Sequence, residues 1–298
     1  MLSAIRLGHI GIVAKNYQVM LDYYTGVLGF ELVEQTARTS YLRVGVDHHA
    51  IALHKLGEKP GLEHIAFQID PEYASADAVK ELSAVGITAR VESDADPSIP
   101  ELVSFTDCAG LRVELYTGVK YPPKIQKRTG FAPRKLGHVA RGVADVKGAC
   151  SYYMQCLGFR VSDWLGDFFV FMRCGPDHHT VNFIAAPESN LNHVAYEVSD
   201  WADIQKSSDI LGEHGMRLIW GPVRHGMGHN ISTYHRDPDG NRVELFCELD
   251  LMLDERLGYF EPRPWHEDNP QRPKVWNPDD YRAVNIWGID PGENFGPI

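Results

Sequence analysis

Leu7-Gly8-His9-Ile10, near the start of the chain, returns as Leu136-Gly137-His138-Val139, and the likeness continues downstream of both. Tyr23-Tyr24 returns as Tyr152-Tyr153, Leu28-Gly29-Phe30 as Leu157-Gly158-Phe159, and Asp47-His48-His49 as Asp177-His178-His179. Glu63-His64-Ile65-Ala66 is matched by Asn192-His193-Val194-Ala195, and Gly110-Leu111-Arg112-Val113-Glu114-Leu115 by Gly240-Asn241-Arg242-Val243-Glu244-Leu245, always 129 or 130 residues on. A single match would mean little. A set kept in order, with one-residue slips, is a tandem duplication.

Each copy reads as strand, helix and several strands, twice over. In the second copy residues 137–143 alternate as a strand, 145–157 carry Ala149, Tyr152, Tyr153 and Cys156 at helical spacing, and 159–161, 168–172 and 180–184 are short β-rich runs. The pattern restarts with a strand at 191–198, a helix at 201–214 and strands at 217–219, 231–235 and 242–246. Asp237-Pro238-Asp239-Gly240 is a turn between the last two, Pro by its fixed φ and Gly by tolerating positive φ, so Asp237 and Asp239 are turn residues. The expected class is α+β, a tandem duplication of paired βαβββ modules. Residues 1–120 form a first domain, 121–133 a linker and 134–250 a second domain. Residues 251–298 lie outside the repeat and hold seven of the 18 prolines and three of the six tryptophans (Trp265, Trp276, Trp287), which suits an ordered, extended wrap over the second domain rather than a loose tail.

Composition narrows the function. At 298 residues and 44% hydrophobic content the chain can pack about two domains. A net charge of −11 without a basic block lacks the footprint of a nucleic-acid binder. The densest apolar run, Phe168-Phe169-Val170-Phe171-Met172, falls far short of the ~20 residues that span a bilayer. Residues 1–14 carry Arg6 and His9 where a signal peptide needs an unbroken apolar core, so a cytoplasmic protein is expected. Five cysteines without a CxxC pair read as reduced core thiols.

The 14 histidines remain to be explained. His138, His193 and Glu244 fall on three different predicted strands of the second copy, and alternation puts His193 on the face of Ala195 and Glu197, opposite Val194 and Tyr196. Side chains from several strands of a concave sheet can converge. Two imidazoles and a carboxylate on one side of a metal form the facial triad of non-haem Fe(II) sites, which leaves positions open for O2 and substrate.

The run from His138 through Asp177-His178-His179-Thr180, Leu191-Asn192-His193, Gly221-Pro222-Val223-Arg224-His225-Gly226 and Tyr234 to Asp237-Pro238-Asp239-Gly240-Asn241-Arg242-Val243-Glu244 resembles the type I extradiol ring-cleaving dioxygenases, two-domain members of the vicinal oxygen chelate superfamily. The resemblance covers both copies. It implies Fe(II), or Mn(II) as in some relatives, held by His138, His193 and Glu244, with O2 as co-substrate and a catechol as substrate. It also implies His179 as acid and base, and His225 and Tyr234 as the pair that hydrogen-bonds catechol and oxygen species. The product would be a ring-opened semialdehyde, and the assembly a homo-oligomer. Trp220 stands where relatives acting on homoprotocatechuate carry an arginine, which implies an uncharged or alkyl- or aryl-substituted ring unless Arg263 or Arg272 reaches in from the tail. His178 is expected to face away from His179, structural or exposed, while His229 and Asn230 are further candidates for the pocket wall.

The same fold also serves metal-dependent isomerases of glyoxalase type, thiol transferases that inactivate an antibiotic and small-molecule binding proteins. Glu197, on the strand and face of His193, keeps the isomerase in play because such sites want a second glutamate. The first copy also holds His9, His64 and Glu114, and His49 opposite His179, but Ser104 where the second has Tyr234 and no histidine in its counterpart of the Arg224-His225-Gly226 region. The favoured expectation is a relic without metal, ahead of a structural ion and a second catalytic centre.

Overall fold

The computed structural model describes residues 2–55, 60–121, 130–254, 256, 259–261 and 272–296. The first copy forms β1 (Ala4–Val13), α1 (Tyr17–Asp22, continued by one wider turn over Tyr23–Val27), β2 (Glu31–Gln35), β3 (Thr39–Arg43) and β4 (Ile51–His54). It then forms β5 (Gly61–Ile69), α2 (Ser75–Ala84), β6 (Arg90–Asp96), β7 (Ile99–Thr106) and β8 (Arg112–Tyr116). The second copy repeats this as β9 (Lys135–Val143), α3 (Val146–Leu157), β10 (Arg160–Leu165), β11 (Phe169–Arg173), β12 (Val181–Ala185), β13 (Asn190–Glu197), α4 (Trp201–Glu213), β14 (Leu218–Arg224), β15 (Ile231–Arg236) and β16 (Arg242–Cys247). Each βαβββ half closes with its first and fourth strands parallel, β1 with β4 and β13 with β16, as a helical crossover allows. The two halves join along an antiparallel seam, β1 with β5 and β9 with β13. The sheet orders are therefore twins, β2-β3-β4-β1-β5-β8-β7-β6 and β14-β15-β16-β13-β9-β12-β11-β10, the second extended by β19 (Lys274–Trp276) beside β10.

Local chemistry explains the element ends. Asp145 caps α3 by accepting from the Gly148 amide, and the helix stops at Gly158 in the left-handed region (φ 65°). The glycine of each Leu-Gly-His motif has a packing reason: a Cβ on Gly137 would run into the Phe246 ring, and one on Gly8 into the Tyr116 hydroxyl. Both aromatics stand on the sheet beside the motif histidine, Phe246 with its ring 5.2 Å from that of His138 and Tyr116 6.0 Å from His9.

Two strand boundaries and the tail differ from expectation. β14 runs to Arg224 instead of ending at 219, carrying Gly221-Pro222 within it across a register shift; it is the sheet's edge strand, where a proline's missing N–H costs no ladder bond. β10 starts at Arg160 and extends to Leu165, because Phe159 turns into the core. The tail is more regular than its composition suggests: β17 (Leu251–Asp254) pairs with β18 (Tyr259–Glu261), β19 joins the main sheet, and α5 (Tyr281–Val284) comes after it. All five cysteines are free, four of them buried and Cys108 exposed. No described helix is long and apolar enough to cross a membrane.

One hydrophobic core runs through both copies, with Phe67 against Phe159 and Phe30 against Tyr196 at the junction. The repeated tyrosine pairs do more than fill space. Tyr23 hydrogen-bonds His235 (2.7 Å) and Tyr153 donates to Asp107 (2.8 Å), each across the junction. Asp107 also pairs with Arg141, and both side chains are almost wholly buried. Removing one partner of a buried pair strands the other charge, so Asp107→Ala is expected to cost about 3–5 kcal/mol of stability. Chemical denaturation checks this, with Asp107→Asn/Arg141→Met recovering part of the loss; a cost below about 1 kcal/mol for Asp107→Ala would contradict the assignment.

Candidate metal centre

Ala195 on β13 is the register partner of both His138 on β9 and Glu244 on β16. Paired residues leave a sheet on the same face, and His193, two positions before Ala195, shares that face. The small Ala195 side chain lets its larger neighbours lean together above it. His138 Nε2 lies 3.2 Å from His193 Nε2 and 3.1 Å from Glu244 Oε2, and His193 Nε2 is 3.2 Å from the same oxygen. All three residues are buried.

Hydrogen bonds aim these atoms. Asn192 Oδ1 holds His193 Nδ1 at 2.8 Å; the amide oxygen can only accept, so Nδ1 carries the proton and Nε2 offers its lone pair inward. Glu244 Oε1 accepts from Ser232 Oγ (2.6 Å) and Asn230 Nδ2 (3.0 Å), leaving Oε2 for the triangle. Burial pushes the Glu244 carboxyl up, but the two imidazoles hold it well below the usual range, while burial draws His193 down to about 4. Two ring nitrogens and a carboxylate oxygen at 3.1–3.2 Å match neighbouring corners of an octahedron with bonds of about 2.2 Å. The donor set fits a divalent first-row transition ion.

A cavity opens over this triangle. His179, His225, Tyr234 and Trp220 line it together with the triad, so every site residue expected from the sequence meets in one place. His179 stacks edge-on to His138 with ring centroids 4.3 Å apart, and burial holds its pKa well below the usual histidine value. His225 Nδ1 donates to the Val284 carbonyl (2.6 Å), so its Nε2 accepts from the Tyr234 hydroxyl at 2.8 Å. Burial raises Tyr234 well above the usual phenol range and lowers His225. Tyr234 is the direct register partner of Glu244, a placement that sequence spacing reaches only if the turn between them closes a hairpin.

The structure revises several neighbours. His178 is fully buried, in keeping with a structural role, but it does not face away: its Nδ1 lies 3.0 Å from His179 Nδ1 because the two rings meet at the bend before β12, where strand alternation does not apply. Of the paired candidates, Asn230 lines the cavity, whereas His229, at φ 54°, turns its ring to Asp250 (2.7 Å). Asp237 closes its turn on the Asp239 and Asn241 amides. Glu197 faces Lys135 (3.2 Å) and Arg134 (3.6 Å), outside the cavity lining, so the second glutamate of an isomerase is not supplied there. Arg272 is exposed and bonds the Arg256 carbonyl; Arg263 lies outside the described residues. Ser232, Arg242 and Phe295 carry no sequence signal of a site, although Arg242 is the twin of Arg112 in the repeat and lies over the Phe295 ring at 4.0 Å.

The profile of the Glyoxalase/Bleomycin resistance protein/Dioxygenase superfamily matches residues 6–115 and 135–245. A manganese-dependent 2,3-dihydroxybiphenyl 1,2-dioxygenase from Geobacillus genomosp. 3 is 26% identical over 91% of this chain and 93% of its own length. A 3-methylcatechol 2,3-dioxygenase from Pseudomonas putida is 28% identical over 82% of this chain and 89% of its own. Among solved structures, the Mn(II)-bound glyoxalase from Novosphingobium aromaticivorans superposes with a TM-score of 0.84 at 25% identity, covering 100% of this chain and 95% of that one.

Groups that orient metal ligands typically change affinity 10–100-fold when removed. Ser232→Ala with Asn230→Ala is therefore expected to weaken divalent-metal binding by about that factor, measured by chelator competition. Unchanged affinity would show that Glu244 needs neither donor.

Proposed function

The chain belongs to the Glyoxalase/Bleomycin resistance protein/Dioxygenase superfamily, and we propose that it cleaves a catecholic ring with O2 at the bond beside the two hydroxyls, using a divalent metal held by His138, His193 and Glu244. The observation that carries this reading is the joining, in one cavity, of an open three-donor face with His179, His225 and Tyr234. A binding protein has no use for that acid–base set, and the relatives that match along most of the chain are catechol-type dioxygenases. Fe(II) is the resident ion in this reading, with Mn(II) as the alternative. A cytoplasmic location and a homo-oligomeric assembly belong to the same proposal.

The metal, when bound, supplies coordination positions for the catechol oxygens and O2 and the electronic coupling between them. His179, kept neutral by burial, is the base that accepts a phenolic proton and the acid that returns it as the O–O bond breaks. Tyr234, its own proton directed to His225, presents its oxygen as an acceptor for the substrate's second hydroxyl. Leu165, Phe169, Phe171, Trp220 and Met227 make one part of the wall apolar, which suits a ring bearing an alkyl or aryl substituent.

The tail completes this wall. Val284 and Phe295 line the cavity, the Val284 carbonyl fixes His225, and Ile289 accepts from the Trp220 indole at 2.9 Å. Such a cover excludes water from reactive intermediates.

Two outcomes test the reading by oxygen electrode and product absorbance. His179→Asn is expected to keep its metal while turnover falls about 10²–10⁴-fold; loss of the metal would make His179 a ligand and refute its role. Ending the chain at Asp280 is expected to raise KM for the catechol about tenfold or more, as a buried hydrogen bond and its packing are lost, and to uncouple oxygen uptake from product. A truncated protein with unchanged KM and full coupling would reduce the tail to a clamp on the fold.

A further inference from the structure

The first copy builds the same donor face from the same register. Ala66 on β5 partners both His9 on β1 and Glu114 on β8, and His64 stands two positions before it, as His193 stands before Ala195. All three side chains are buried, at 2% exposure for His9 and 6% for His64 and Glu114. Glu114 Oε2 lies 3.7 Å from His9 Nε2 and 3.8 Å from His64 Nε2, too far for hydrogen bonds, and both nitrogens are buried without a hydrogen-bond partner. The groups behind them are nevertheless in place. Glu63 takes the proton on His64 Nδ1, and Arg112 Nε donates to Glu114 Oε1 at 2.7 Å, the part that Ser232 and Asn230 play for Glu244. A carboxylate behind an imidazole is the usual support of a metal ligand. His64 Nε2 and Glu114 Oε2 thus face each other, both buried, across a gap that no hydrogen bond spans and that has room for a cation.

We propose that the first copy holds a second divalent transition-metal ion, of Zn(II) type, through His9 Nε2, His64 Nε2 and Glu114 Oε2. Bonds of about 2.1 Å place ligands about 3.4 Å apart at a tetrahedral angle and about 3.0 Å apart in an octahedron. The 3.7 and 3.8 Å spacings lie nearer the tetrahedral value, whereas the 3.1 and 3.2 Å spacings of the second copy fall between the two. The surroundings make the ion structural. Ser104 faces Glu114 where Tyr234 faces Glu244, and Asp96, at the end of β6 where His225 follows β14, is 3.2 Å from His49 Nε2. Ala66, Ile99, Leu102 and Tyr116 form a buried apolar cluster, the Tyr116 ring 6.0 Å from that of His9. The ion ties β1, β5 and β8 together at the centre of the first sheet, and the first copy is then neither an empty relic nor a second catalytic centre. This inference stands independently of the ring-cleavage reading.

The test uses the His193→Ala chain, whose second-copy donor set is dismantled. It is stripped of metal, loaded with Zn(II), dialysed and assayed by plasma mass spectrometry. One zinc per chain is expected, falling at least tenfold when Glu114→Gln or His64→Gln is added, with the far-ultraviolet circular dichroism spectrum preserved. A folded His193→Ala chain without zinc, or zinc that survives both added substitutions, overturns the proposal. Should the added substitutions prevent folding, zinc-edge anomalous diffraction from the otherwise unaltered chain decides it. A peak between His9, His64 and Glu114 is expected, and its absence beside a peak in the second copy refutes the site.

Discussion

Two imidazole nitrogens and a carboxylate oxygen, buried and brought within 3.2 Å of one another, form the constraint on which the second copy turns. Buried charge is tolerated only when paired or bound to a metal. The surrounding structure is arranged to hold this convergence. Ala195 keeps the middle strand low between His138 and Glu244, Gly137 lets Phe246 pack beneath His138, and Ser232 and Asn230 occupy the outward oxygen of Glu244. These are backbone register and small-residue effects, so the donor face is set by the central strands and not by loops. Sites built on rigid elements hold their geometry more closely than loop sites do.

The groups over that face come from elsewhere in the chain. His179 comes from the bend before β12, where His178 joins it to Asp163, and Asp163 in turn accepts from the Trp276 indole of β19 at 2.9 Å. His225 follows the edge strand and is held by the backbone of the tail. The division is physical: metal ligands on the seam of the sheet, proton-handling groups on its margins, and the C-terminal segment bonded to both margins. Duplication supplies the seam twice, and divergence is concentrated at the margins, where Ser104 and Asp96 stand for Tyr234 and His225.

The duplication, the two βαβββ pairs, the metal face and the His179, His225 and Tyr234 around it were legible because each rests on a short local pattern that occurs in both copies or on residue types with few other uses. Less legible features depend on how distant segments pack. Strand parity misplaces the His178 ring because a bend intervenes, and it cannot choose between His229 and Asn230, whose fates are set by a positive φ and by Asp250. Ser232 is an ordinary strand serine until β15 pairs with β16. The strand pairing of the tail is equally hidden, since three-residue strands such as β19 carry no periodicity of their own.

The central claim, that the metal face and its acid–base groups insert both atoms of O2 into a catechol, is tested most directly by mass spectrometry of the product formed under ¹⁸O2 by the Fe(II)-loaded protein. The account predicts a ring-opened product formed with two labelled oxygens, observed before the aldehyde exchanges with water, and no labelled product from Glu244→Gln. Turnover of a catechol by the metal-loaded chain with one label or none would contradict it.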